Sequence, residues 1–126
     1  YKSAIEIEIG NILEEYLLIE DFEEINNYTQ NLDNLPNFLK ELFNFYFKNN
    51  LNEFDKFKSL FLNFRNNKNI NSKLLIESLF EILESDFILD YVNLETKLPK
   101  LLEIFQLLHI NLNKNQSNSI KNLLSN

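Results

Sequence analysis

Apolar residues recur along most of this chain at intervals of three and four, the spacing that lines side chains up on one face of an α-helix. Ile5, Ile9, Ile12, Leu13, Tyr16 and Leu17 trace the first stripe. Asp21 is placed to cap a second helix, with Phe22, Ile25 and Tyr28 facing inward and Glu24 completing a capping-box-like arrangement. Asn34-Leu35-Pro36 opens a third, the proline suiting a first turn, where its missing N–H is not needed. Leu39, Leu42, Phe43, Tyr46 and Phe47 supply its apolar positions. Phe54, Phe57, Leu60, Phe61 and Phe64 mark a fourth helix, and the polar turn Arg65–Asn69 leads to a fifth. Asn71 or Ser72 caps that fifth helix, which carries Leu75, Leu79, Ile82 and Leu83 on one side. Beyond a corner at Asp86–Asp90 a sixth helix holds Leu94, Leu98, Leu101, Leu102, Phe105 and Leu108, and Pro99 within it should kink the helix or mark a restart. Residues 113–119 are polar, and Ile120, Leu123 and Leu124 form a short closing helix or a frayed end.

Helices of this number, joined by short turns, predict an all-α fold of stacked antiparallel hairpins, about six to seven helices in all. Residues 1–112 form the domain and 113–126 a polar C-terminal segment. No clean sequence period marks a repeat. Turn residues are scarce, with one Gly and two Pro, which disfavours an all-β fold with many tight turns. Twelve Phe and five Tyr, in a chain that is 44 % hydrophobic, are enough for a real core. The 22 Asn residues fit AT-rich codon usage and carry no recognition meaning.

A net charge of −7 opposes autonomous binding to RNA or DNA and points to a basic partner surface. The lysines are scattered and Arg65 is the only arginine, so no basic patch forms. Lys56 and Lys58 are weak support for reading the Phe54/Phe57/Phe61/Phe64 stripe as a base-stacking platform, and the stripe reads as core. With one Gly there is no Gly-rich phosphate loop, and a single His (His109) without any Cys leaves little for a nucleophile–base pair or a zinc site. A non-enzyme without cofactor or metal is expected. The absence of cysteine is compatible with cytosol or nucleus. No apolar run approaches the roughly 20 residues needed to span a bilayer. The chain opens on Tyr1 rather than Met, which fits a piece of a longer protein.

Two segments carry chemistry beyond the core pattern. Residues 15–32, EYLLIEDFEEINNYTQNL, contain Glu15, Tyr16, Leu17, Asp21 and Glu24 in fixed order before Leu32. Residues 77–90, ESLFEILESDFILD, end in Asp86 and Asp90, four residues apart. Together, over roughly residues 4 to 110, they make the chain resemble the MA-3 domain, the helical module of translation initiation factor 4 gamma and related regulators. The resemblance implies that the helices stack as a HEAT-like repeat array, and that the chain is a cytoplasmic protein-binding module of a translation-initiation scaffold, monomeric within a larger protein. Its partner would be the DEAD-box RNA helicase initiation factor 4A. The implied contact residues are Asp86, Asp90 and Asn93 at the corner, with Asp21 and Glu24 in a second strip. Asp86 and Asp90 would accept charge-assisted hydrogen bonds from Arg or Lys of a helicase lobe. The plainer reading is that Asp90 caps the sixth helix while Asp86 is solvated. Likewise Glu14, Glu15, Glu20, Asp21, Glu23 and Glu24 form either a partner strip or a solvated helix face. Many relatives carry a proline two residues after the last aspartate, where this chain has Val92, and often a Gly near Lys68. Within the family, a repressor resembling programmed cell death protein 4 and a nuclear splicing or ribosome-assembly factor are the alternatives. Outside it stands a structural, self-associating helical domain.

Overall fold

The computed structural model describes residues 2–49 and 51–125, in which seven α-helices follow one another with 3-10 turns at several junctions and no strand. They are α1 (Ala4–Ile19), α2 (Glu23–Thr29), α3 (Leu35–Lys48), α4 (Phe54–Asn63), α5 (Ser72–Leu83), α6 (Leu94–Leu107) and α7 (Lys114–Ser125). Most boundaries follow from the sequence. Ser3 caps α1 by accepting from the Glu6 amide, and the Asn71 side chain accepts from the Leu74 amide at 2.8 Å to start α5. Pro36 stands in the first turn of α3.

Other expectations need correction. Asp21 is not the cap of α2: it lies one residue before the cap position, held by Phe22, and its Oδ1 accepts from the Glu23 amide at 3.0 Å. Among the described residues Glu24 does not reach back to close a capping box: the side-chain bond at this helix start is the one from the Glu23 amide to Asp21. Of the two outcomes expected at Pro99, the restart does not occur: α6 runs on through it from Leu94 to Leu107. The donor that proline withdraws would have bonded to Glu95, and both residues lie on the exposed face, where water can serve the freed carbonyl. Ile5 is 48 % exposed because it lies a full turn before Ile9, at the outer end of the stripe that α3 covers. The closing helix starts at Lys114 and takes in the polar stretch: Asn113 and Gln116 bond each other's backbone N–H reciprocally, at 2.9 and 2.8 Å, a complete capping box. Ile120 seals α7 onto the core.

α3 is the hub. It packs against α1 on one side and α5 on the other, while α4 packs on α6. Phe43 of α3 stacks on Phe61 of α4 at 5.5 Å and meets Phe105 of α6 edge-on at 6.2 Å, so one side chain ties three helices together.

Two lysines reveal the internal repetition that no sequence period showed. The Tyr16 hydroxyl in the last turn of α1 donates to the Lys56 carbonyl in the first turn of α4, and the Lys56 ammonium donates back to the Leu17 carbonyl at 2.5 Å. One hairpin on, the Tyr46 hydroxyl in α3 donates to the Lys97 carbonyl in α6 at 2.6 Å, and the Lys97 ammonium donates to the Phe47 carbonyl at 2.5 Å. In each latch a lysine satisfies one of the orphan carbonyls at a helix C-terminus and places a cation at the negative end of its dipole. Both latches bring the end of an odd-numbered helix to the start of the even-numbered helix after next. The odd helices α1, α3 and α5 therefore run parallel in one row, the even helices antiparallel in a second, as in a helical-repeat array. The turns after α1, α3 and α5 all emerge on one edge.

α6 ends in a Schellman motif. The His109 amide bonds to Gln106 and the Ile110 amide to Phe105, with His109 itself at φ 60°. Only glycine adopts that conformation without a steric cost. His109→Gly is expected to raise stability by about 0.5–1 kcal/mol, read as a higher thermal midpoint.

Burial sets the response to alkali. It raises the hydroxyl pKa of Tyr16, Tyr28, Tyr46 and Tyr91 above the ordinary 10.0. The folded chain thus holds these protons more tightly than the unfolded chain does. Their stabilising contribution is complete below pH 10 and is lost as pH rises beyond it. Lys97, buried and lowered from 10.5 by desolvation, acts the other way up to that pH, but it is one group against four. The midpoint of urea unfolding is expected to fall steeply above about pH 10, and Tyr46→Phe to blunt that fall.

Candidate partner-binding corner

Between α5 and α6 the chain forms a 3-10 turn over Asp86–Asp90, begun by Ser85, whose Oγ accepts from the Phe87 amide and donates to the Ile82 carbonyl. Residues four apart lie nearly together on an α-helix, but a 3-10 turn has three residues per revolution. Asp86 and Asp90 are therefore rotated by about 120° and separated by about 8 Å of rise. The arrangement suits two cations approaching from different directions better than one guanidinium held between both carboxylates. Both aspartates are exposed. None of the ion pairs among the described residues involves either of them.

Three apolar side chains project from the same segment: Phe87 at 43 %, Leu89 at 81 % and Val92 at 62 % exposure. Sequence reading centred on the carboxylates and missed these. The signal was there, since Phe87 and Leu89 fall outside the α5 stripe that ends at Leu83. Lys48 lies 5.9 Å over the Phe87 ring and is the cation placed against the corner.

The corner is pinned from beneath. Tyr91 is buried, stacks on Phe47 at 5.2 Å and donates its hydroxyl to Asn44 Oδ1 at 2.6 Å. Burial, together with the negative charges of Glu41 and Asp90, keeps that hydroxyl protonated far into the alkaline range. Asn93, exposed and at φ 58°, occupies the cap position of α6 in the left-handed region that asparagine tolerates, and its side chain makes no capping bond. Asp90 does not cap α6, so the reading in which capping alone explains that residue is set aside.

Asp21 and Glu24 share the edge but not the corner. They follow α1 while the corner follows α5, and the end of α3 stands between. At helix spacings of 8–10 Å the two patches are roughly 20 Å apart. The Glu24 carboxyl is raised above its ordinary 4.5 first by a hydrogen bond with Glu15, then by slight desolvation and the charges of Glu15 and Asp21. Ile7, Ile12, Glu15 and Glu24 line a shallow groove beside them.

Among the described residues, no group of three or more His, Asp or Glu side chains is arranged to hold a metal, and no helix is long and apolar enough to cross a membrane. Comparison with protein-family models, with curated proteins and with solved structures gave no match.

Proposed function

We propose that this domain is a non-enzymatic protein-binding module of the MA-3 kind, part of a translation-initiation scaffold, and that the corner Asp86–Asn93 docks on the DEAD-box helicase initiation factor 4A. The observation that supports this most is a pinned turn that presents two unpaired carboxylates together with exposed apolar side chains. Charge gives such a surface specificity and a fast encounter, while the apolar residues supply the area to be desolvated. Asp86 and Asp90 accept from separate Arg or Lys side chains of the helicase. Phe87 and Leu89 are the anchors that enter its surface. Asp21 and Glu24, at the far end of the same edge, act by long-range steering. The domain can favour one arrangement of the helicase lobes only by binding it more tightly than the other.

Calorimetric titration of initiation factor 4A into the domain tests this. Asp86→Ala and Asp90→Ala are each expected to weaken binding by about 2 kcal/mol, and their effects to add, since each serves its own cation. Asp21→Ala with Glu24→Ala is expected to slow association and leave dissociation nearly unchanged. A measured affinity indifferent to both corner substitutions would contradict the assignment.

A further inference from the structure

A groove of about 540 Å³ runs between α5 and α7, and a second hollow of about 380 Å³ continues it, the two sharing Phe80, Glu84 and Ser119. We infer that this groove takes a basic amphipathic helix from a partner protein, an interaction separate from the corner and independent of the helicase reading.

The walls differ in character. α5 supplies half-buried Ile76 and Phe80 as an apolar floor, with Glu77, Glu81 and the C-cap residue Glu84 along its rim. Those three acids recur at i, i+4 and i+7, so they form one line along the helix. α7 supplies amides and hydroxyls, among them Asn115, Gln116, Ser119 and Asn122. No lysine or arginine lines either hollow. The acids have only loose partners: Lys73 lies 3.9 Å from Glu77, both exposed, and half-buried Lys40 lies 3.7 Å from exposed Glu81. Such pairs contribute little and are readily exchanged. Glu84 has no ion-pair partner among the described residues.

From Ile76 to Glu84 the floor is about 12 Å long, two turns of an occupant helix. Cations at matching intervals on that helix would face the three carboxylates, and one or two apolar residues between them would cover Phe80. The neutral wall of α7 can bond the polar side chains of the occupant without repelling its charge. An acidic helix would meet three like charges and an RNA strand the same, so charge selects a basic polypeptide.

The probe is a fluorescein-labelled synthetic helix of twelve residues with three Arg at i, i+4 and i+7 and Leu between them, read by anisotropy against the 126-residue chain. A second peptide carries Glu in place of Arg. The Arg peptide is expected to bind and the Glu peptide to fail. Ser119→Trp, which fills the groove from an exposed position, should weaken binding by about tenfold or more. Glu81→Gln with Glu84→Gln should weaken it and flatten its salt dependence. Asp86→Ala with Asp90→Ala should change it by less than about threefold. Circular dichroism melts confirm that each variant is folded. Equal binding of both peptides, indifference to Ser119→Trp, or no binding by the wild-type chain overturns the inference. Peptide binding that persists while the helicase titration shows none leaves the groove standing and removes the corner reading alone.

Discussion

Phe43→Ala should cost about 3–5 kcal/mol, a large part of the stability of a domain this size. Phe43 is fully buried in α3, stacked on Phe61 of α4 and edge-on to Phe105 of α6. Removing the ring withdraws its own buried area and leaves a void bounded by two large rings on different helices. Neither can move in without dragging its helix, so the cavity stays open and the loss falls at the upper end for its kind. Phe43→Leu keeps most of the volume and should cost about half as much or less. Denaturant unfolding followed by far-ultraviolet circular dichroism gives both values. A loss below about 1 kcal/mol for the alanine variant would mean that the two rows of helices are not joined at this residue.

Lys97 should separate the two roles that a buried lysine can play. Only 2 % exposed, it carries an aliphatic stem through the core and ends on the Phe47 carbonyl. Lys97→Ala removes stem and ammonium together, and is expected to cost about 2–4 kcal/mol. Lys97→Met keeps the volume and gives up the bond, but it also relieves the desolvation that lowers the amine's pKa. Its net effect should stay within about 1 kcal/mol of wild type. The same comparison at Lys56 should give smaller numbers, since that side chain is 34 % exposed and partly held by Glu53 at 3.3 Å. If methionine proved as damaging as alanine at position 97, the ammonium rather than the packing would be what joins α3 to α6.

Much of the fold could be read from spacing because the core stripes are long and the turns lack competing signals. The stripes of α3 and α5 reappear buried residue for residue, from Leu39 to Phe47 and from Leu75 to Leu83. What failed was local chemistry with two solutions. Asp21 can bond the amide two residues on as an Asx turn or cap a helix directly, and the sequence pattern is the same for both. Asn113-x-x-Gln116 was a legible capping box, hidden because the segment around it looked too polar to pack. The Tyr–Lys latches could not be read at all. Tyr16 and Lys56 are 40 residues apart, Tyr46 and Lys97 are 51 apart, and only the fold brings them together. At the corner, the acids were evident but their geometry was not: whether four-residue spacing aligns two carboxylates depends on helix type, which composition does not set. Tyr91 as the pin beneath them needed the third dimension too.

The most direct test is a footprint of the helicase on the isotopically labelled domain, recorded by nuclear magnetic resonance as unlabelled initiation factor 4A is added. Amide signals of residues 86–93 should shift or broaden first and most, while those of the exposed α1 residues Ile5 and Ile7 stay in place. A footprint centred on α1, or a spectrum unchanged by the helicase at concentrations well above micromolar, would contradict the corner as the binding surface.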